Sequence, residues 1–364
     1  MELKIKNAVL QDMVNKAIKG AGNDKVMPIT ELMGVEVVGQ NLYLTTTNGD
    51  NFLTVYDKVE TVDGDFAACI RADVFAKLIA KTTAEFVHLK FENNVLTVKG
   101  NGTHNIPAAT DEDGELVQLE QAGIPAGATV AEYATKAKDL KDAFAIGKAA
   151  LATNNSTECF TGFYFYENGT VTSDGGKATF TKKQIFKSPV LLRNSFMNLV
   201  PLFGGEDVKI AETENNVLLH ASGVKAVGNK MAQVAEFPIE SIVQFTEVEF
   251  PHTVKLNKTA LLNVLDRVAL FIGQYDRNGV RFNFGPNGVL ITNLKASSSE
   301  LLKAEGDLKE FSFVLDVNSF KDMLSVNTDD AIKLSYGNEQ AVKIEFGDTV
   351  QVLATQVEDG QEAQ

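Results

Sequence analysis

The sequence predicts an α+β protein built from three copies of one domain, each with antiparallel sheets and two helices confined to one face. Two internal repeats carry this reading. GVEVVGQNLYLTTTN from Gly34, GFYFYENGTVTSDG from Gly162 and GVRFNFGPNGVLITN from Gly279 each run from a glycine through an alternating strand, a polar turn and a second alternating strand. IRADVFAKLIAK, LLRNSFMNLVPLF and VLDVNSFKDML each run a short strand into a helix whose apolar stripe opens on Phe75, Phe196 or Phe320. Both repeats recur at the spacing of a whole domain, so the period is not that of a solenoid. The 364 residues, 44% hydrophobic and 23% charged, are enough for several buried cores.

In chain order, the first element is a helix over 8–20, with Leu10, Met13, Val14, Ala17 and Ile18 on one stripe. The hairpin from Gly34 follows, then a helix over 73–81 and a hairpin from His88 with an Asn-Asn turn. Gly123 to Thr129 reads as a seam. The second copy repeats the order with helices over 136–150 and 193–203 and hairpins from Gly162 and Val208. A strand is expected to open the third copy near Gln244 to Glu247. Its helices fall at 255–272, with Leu261, Leu262, Leu265, Val268, Ala269 and Ile272 on one face, and at 316–324; its hairpins start at Gly279 and Ile332. The expected domains are 1–126, 127–246 and 247–364, and the polar segment from about 358 is expected to be a disordered acidic tail.

Composition and motifs exclude much. Two cysteines, Cys69 and Cys159, make no disulfide framework, and the N-terminal MELKIKNAVL lacks the apolar run of a signal peptide. No apolar stretch reaches the ~20 residues of a membrane span. A cytoplasmic protein without membrane association is expected. His88, His104, His220 and His252 show no i, i+4 pairing, and there is no Walker A sequence, nucleophile elbow or complete GxGxxG. Asp111-Glu112-Asp113-Gly114 lacks the distal Glu of a calcium loop. The expectation is a protein that is not an enzyme and has no cofactor or metal.

The charge is unevenly placed. The chain carries −14, yet the six predicted helices hold thirteen basic residues against seven acidic ones, all of them Asp. Helices ordinarily favour Glu, so a helix layer without it points to a face that must not repel a polyanion.

Met27-Pro28-Ile29, Thr172-Ser173-Asp174-Gly175 and Arg277-Asn278-Gly279-Val280-Arg281-Phe282, set in the threefold repeat, resemble the β subunit of bacterial DNA polymerase III, the sliding clamp. The resemblance spans roughly residues 1–357 and is densest in the third domain. It implies three clamp domains per chain, with sheets outside and two helices per domain inside, and a head-to-tail homodimer closed into a ring around duplex DNA. The function it implies is that of a processivity factor, gripping DNA without regard to sequence and tethering the DNA polymerase catalytic subunit and the clamp loader. Candidate DNA-facing residues are Lys16, Lys19, Lys77, Lys81, Lys136, Lys138, Lys141, Lys148, Arg193, Lys258, Arg267 and Lys321. Edge-strand pairing would join the first domain of one chain to the third of the next, with His104 and Ile106 facing Phe271 and Ile272.

The resemblance also implies a pocket for partner peptides with apolar anchors. Its lining, carried over by position, is Phe160, Ser173, Gly175, Gly176, Lys177, Ala178, Pro238, Ile242, Val243, Ala341, Val342, Val352, Leu353, Ala354, Thr355 and Gln356. Two departures stand out. Gly176-Lys177-Ala178 replaces the family's His-Arg-Leu, and Ala354-Thr355-Gln356-Val357 with an acidic extension replaces its C-terminal Met-Pro-Met-Arg. Such changes fit a divergent member of the kind a phage or mobile element encodes. The other class consistent with the repeats is a protein-binding scaffold that does not encircle DNA, which gives no reason for the Glu-free helices.

Overall fold

The computed structural model describes residues 1–153, 157–338 and 340–357, so the expected acidic tail lies outside the described residues. The chain forms two compact units, one comprising Met1–Lys138 with Ser195–Lys230 and the other Asp139–Asn194 with Met231–Gln364. The segment expected to form the second domain contributes strands to both.

In the first unit, a five-stranded antiparallel sheet is ordered Thr61–Asp63, Glu2–Lys6, Phe86–Glu92, Val95–Lys99, Thr103–Pro107. An eight-stranded antiparallel sheet is ordered Ala131–Lys136, Asp207–Glu212, Asn216–Ala221, Val224–Asn229, Asn51–Lys58, Asn41–Thr47, Leu32–Val38, Phe66–Arg71. The join between repeats is made by Val224–Asn229 against Asn51–Lys58, with Lys225 opposite Thr54. Helices α1 (Asn7–Ala17) and α2 (Ala72–Lys81) pack together, and α1 lies on Asn51–Lys58. Leu10, Met13, Val14 and Ala17 are buried along α1, each larger side chain contributing about 1.5–3 kcal/mol by leaving water.

The second unit repeats the design. Its nine-stranded sheet is ordered Val190–Arg193, Gly162–Tyr166, Gly169–Ser173, Lys177–Thr181, Thr349–Ala354, Ala341–Phe346, Ala331–Asn338, His252–Asn257, Glu305–Gly306. A four-stranded sheet is ordered Ser299–Leu302, Gly288–Asn293, Gly279–Gly285, Phe311–Asp316. The corresponding join is Lys177–Thr181 against Thr349–Ala354.

All six predicted hairpins are present. Asn93 and Asn94 hold positive φ in the turn after Phe86–Glu92, as an Asn-Asn pair allows. Gly169 and Gly288 occupy matching turns at φ 150° and 129°, where a Cβ would strike the carbonyl oxygen of Thr181 or Leu302.

The helices depart from expectation at their ends. Helix α3 covers Ala137–Gly147 and passes into a 3-10 turn at Lys148–Ala150; α4 is only Asn194–Met197, because Pro201 lacks the N–H a helix needs there and the chain continues as a 3-10 turn at Val200–Leu202. The strand expected near Gln244 to Glu247 is instead part of a seventh helix, α5 (Ile239–Glu247), and the strand opens at His252. Ile239, Ile242, Val243 and Thr246 fall at i, i+3, i+4 and i+7, the helical period. Helix α6 (Lys258–Ala269) starts where the Asn257 side chain accepts a hydrogen bond from the Ala260 N–H at 2.8 Å, so Lys255 lies on a strand and Phe271 and Ile272 follow the helix. Helix α7 (Val317–Val326) is capped likewise by Asp316. The Glu-free rule fails for α5, which carries Glu240 and Glu247. Among the described residues, no helix is long and apolar enough to cross a membrane.

Candidate functional site

The twelve candidate DNA-facing residues have separate fates. Lys16 is bound to Asp12 at 2.6 Å and Lys77 to Asp73 at 3.3 Å, both one helical turn away. Lys136 and Arg193 lie on strand ends and not on helices, paired with Asp207 and Glu158 at 2.8 Å each. Lys258 donates to the Asn327 carbonyl at 2.7 Å, capping the end of α7. Lys321 of α7 is bound to Asp266 of α6. Arg267 makes a two-pronged contact with Glu300 at 2.7 and 2.6 Å, which raises the pKa of the guanidinium and lowers that of the carboxyl. That pair ties α6 to the edge strand Ser299–Leu302, and the Arg267 side chain stays 56% exposed. Lys19, Lys81, Lys138 and Lys148 are exposed and Lys141 is half-buried; Lys148 reaches over the Phe144 ring at 5.7 Å. Surface pairs of this kind are worth little and exchange readily for phosphate.

The peptide-pocket candidates all fall in the second unit. Ser173 and Asp174 build the turn before Lys177: the Asp174 carboxylate accepts from the N–H groups of Gly176 and Lys177 at 2.8 Å each, and the Ser173 hydroxyl donates to the Lys177 carbonyl at 2.8 Å. Lys177 and Ala178 pair with Leu353 and Val352, which pair in turn with Val342 and Lys343, while Ala341 pairs with Ala354. The Ala354 N–H reaches the Gly176 carbonyl at 2.8 Å, the Thr355 N–H that of Gln340 at 2.9 Å, and the Gln356 N–H that of Val314 at 2.8 Å.

Helix α5 packs on the strands Lys177–Thr181 and Thr349–Ala354. It adds Ile242 to an apolar cluster with Tyr164, Ala178, Phe180, Leu191 and Phe237, against which Phe160 lies. Phe237 stacks on Tyr164 at 4.6 Å and meets Phe160 edge-on at 6.0 Å.

Burial revises this lining. Ala178, Ile242, Ala341, Val342, Val352 and Leu353 are buried and hold the wall together from behind, and Ser173 is buried under its turn. The surface open to a ligand is made by Phe160, Gly175, Gly176, Pro238, Val243, Ala354, Thr355 and Gln356, whereas the Lys177 side chain is only 10% exposed and lies 3.9 Å from the Asp174 carboxylate. Phe237 and Ile239 belong to the same cluster and were not foreseen, because the segment was read without a helix.

For the dimer contacts, Thr103–Pro107 is an edge strand of its sheet, with His104 exposed, but Ile106 is buried at 5% exposure and is corrected from a contact residue to a core one. Phe271 is 54% exposed and Ile272 half-buried. Leu270, Tyr275 and Leu301, the last on the edge strand Ser299–Leu302, are more exposed still and extend that apolar patch beyond the two residues expected. Their signal was available: an apolar triplet Leu270-Phe271-Ile272 outlasts the helix that could bury it.

No family model matches the chain. A pantothenate synthetase of Shewanella pealeana is 30% identical over 96 residues, 25% of this chain; the chain thus spans 34% of that protein's length, too little to account for the fold. The solved structures account for all of it. The β subunit of DNA polymerase III from Thermotoga maritima is 16% identical, covers 98% of this chain and 100% of its own, and superposes with a TM-score of 0.83. A sliding clamp of Pseudomonas aeruginosa bound to griselimycin matches at 14% identity, 98% and 99% coverage and a TM-score of 0.86. A polymerase III β subunit of Borrelia burgdorferi, in complex with a natural product, gives 14% identity, 99% coverage of both chains and a TM-score of 0.86. The chain has the fold of these sliding clamps from end to end.

Proposed function

We propose that the chain is the subunit of a DNA sliding clamp, a non-enzymatic processivity factor that encloses duplex DNA as a homodimer and tethers a DNA polymerase. The observation that carries this reading is the end-to-end agreement with sliding clamps at TM-scores of 0.83 and 0.86. Three clamp domains, at 1–126, 127–246 and 247–364, make each half of the ring. Exposed lysines on and after the helices, Lys19, Lys81 and Lys148 among them, meet phosphates loosely enough for sliding. The partly paired lysines join them when DNA competes with their carboxylates. The patch at Leu270, Phe271, Tyr275 and Leu301 supports closure against the edge strand Thr103–Pro107 of a second copy in the cytoplasm. The wall around Phe160, Pro238 and Val243 receives the polymerase and clamp-loader peptides, and Val243→Glu abolishes that binding in fluorescence anisotropy with a labelled polymerase peptide.

Two measurements test the proposal together. Light scattering gives a dimer, and Phe271→Ala with Ile272→Ala gives a folded monomer. After loader-assisted loading, the dimer stays on nicked circular DNA and is lost on linearisation, and Lys19→Glu, Lys81→Glu, Lys141→Glu weakens retention without altering mass. A dimer that is never retained on circles is the binding scaffold and not a clamp.

A further inference from the structure

The face of the eight-stranded sheet turned away from α1 carries an arrangement that the clamp reading does not use. Lys209, His220 and Lys225 stand directly opposite one another on three adjacent strands. The two lysines flank His220, one strand away on either side, and among the described residues neither is ion-paired with a carboxylate. The His220 Nε2 lies 2.8 Å from the Tyr56 hydroxyl, the Lys225 ammonium sits 5.5 Å over the Tyr56 ring, and Tyr43 stacks on Tyr56 at 5.4 Å. Lys209 is exposed and the other four are half-buried, so a cationic strip with two aromatic rings opens to solvent on a chain of net charge −14.

Part of this face is covered. Residues 119–122 cross it, with the Leu119 side chain over Gly34, Gln121 donating to Glu36 at 2.8 Å and the Ala122 N–H donating to the Thr54 hydroxyl at 2.7 Å. The strands under the strip are interior ones whose backbone groups are already paired, so a peptide main chain finds no hydrogen bonds there. A ligand must be held by its charge and by stacking. A nucleic-acid backbone brings fixed charge at close spacing, and unpaired bases bring the faces that tyrosines stack on.

We infer that Lys209, His220, Lys225, Tyr56 and Tyr43 form a second nucleic-acid site, on the outer sheet face, that takes single-stranded DNA. Its pH response follows from the groups around His220: Lys209 and Lys225 on either side, the Tyr56 phenol at Nε2, and the Asp207–Lys136 pair beyond Lys209. Burial first, then Lys225 and Lys209, lower the pKa of this imidazole below 6.5, so it is neutral at pH 7. A bound phosphate opposes all three influences and favours the charged ring, so binding strengthens as pH falls from 8 to 6.

The experiment is fluorescence anisotropy of the full-length protein with fluorescein-labelled oligothymidylate of about 20 nucleotides at about 50 mM salt. Lys209→Ala with Lys225→Ala weakens binding about tenfold and lowers the salt slope by roughly 1.4, the value for two phosphate contacts on a single strand. Tyr43→Ala costs about fivefold or more while Tyr43→Phe binds as wild type, and His220→Gln removes the rise at low pH. Lys141→Ala leaves the affinity unchanged, which separates this site from the helix face of the proposed clamp. The inference is overturned by absence of wild-type binding, by loss in Lys141→Ala but not in the sheet variants, by duplex binding as tight as single strand, or by equal displacement with polyglutamate.

Discussion

The same join between repeats is made twice, and the two copies differ in what covers one face of the sheet. In the first unit, Val224–Asn229 meets Asn51–Lys58 and is crossed by extended chain at 119–122, held by hydrogen bonds to Thr54 and Glu36. In the second, Lys177–Thr181 meets Thr349–Ala354 and is crossed by helix α5, held by apolar contact through Ile242 and Phe237. A polar cover leaves charged side chains free beside it. An apolar one builds a wall with an open lip at Pro238 and Val243. One architecture thereby carries a polar cover in one place and an apolar one in the other.

The sharpest way to break this contrast is to remove the aromatic side chain at the centre of the second cover. Phe237 is 3% exposed, stacks on Tyr164 at 4.6 Å and meets Phe160 edge-on. Phe237→Ala forfeits its transfer energy and leaves a cavity, an expected loss of about 3–5 kcal/mol in urea unfolding monitored by circular dichroism. Peptide affinity falls with it, since Phe160 loses its support. A variant of wild-type stability would mean that α5 does not depend on this cluster.

On the first cover the corresponding lesion is polar and smaller. The Thr54 hydroxyl accepts from the Ala122 N–H at 2.7 Å and shares a 2.9 Å hydrogen bond with Thr45. Thr54→Val keeps the shape and leaves both partners unpaired, at an expected cost of about 1–3 kcal/mol. Proteolysis after residues 119–122 should accelerate in parallel, which distinguishes a loosened cover from a general loss of stability.

How far these covers were legible in the sequence depends on the kind of pattern each obeys. The hairpins at Gly34, Gly162 and Gly279 could be read directly, because period-two alternation around a polar turn leaves a local mark, joined in the last two by a glycine that a close carbonyl requires. Helix α5 could not: nine residues after Pro238, with Ile242-Val243 adjacent and Phe245 two further on, fit a short strand as well as a helix. Charge was legible by type but not by partner. Arg267 and Glu300 are far apart in sequence, as are Lys321 and Asp266, and only the tertiary fold brings each acid to its base. Burial was misread where a strand residue such as Ile106 sits on the core face of an edge strand, since an edge has an exposed side and a buried one.

The second join has a weakness of its own, and mending it should sharpen the contrast. Gln351 is fully buried beside Thr179, and neither atom of its amide has a hydrogen-bond partner among the described residues. Gln351→Met fills similar space without a polar group to desolvate, so it should stabilise the protein by about 1 kcal/mol, read as a higher urea midpoint at unchanged slope. Destabilisation would show that the amide is satisfied by a buried water whose loss costs more than the apolar side chain returns.

The smallest expected effect is a pH dependence confined to the first join. Burial, then Lys225 and Lys209, hold the His220 pKa below its ordinary 6.5, whereas the unfolded chain keeps the ordinary value. Below pH 6.5 the unfolded state therefore binds the proton first. Stability through this group is complete above that pH, declines as pH falls through 6.5, and levels off once the folded pKa is passed. His220→Gln keeps a hydrogen-bonding side chain near the Tyr56 hydroxyl but cannot titrate, so its stability profile between pH 7 and 5 should be flatter than wild type. The strands of the second join carry no histidine, so Gln351→Met should leave the slope of the profile unchanged while raising the whole curve. Parallel curves for His220→Gln and wild type would place the acid sensitivity elsewhere. Added oligothymidylate should then reverse the sign of the effect in wild type alone, because phosphate beside the ring favours the proton that folding otherwise excludes.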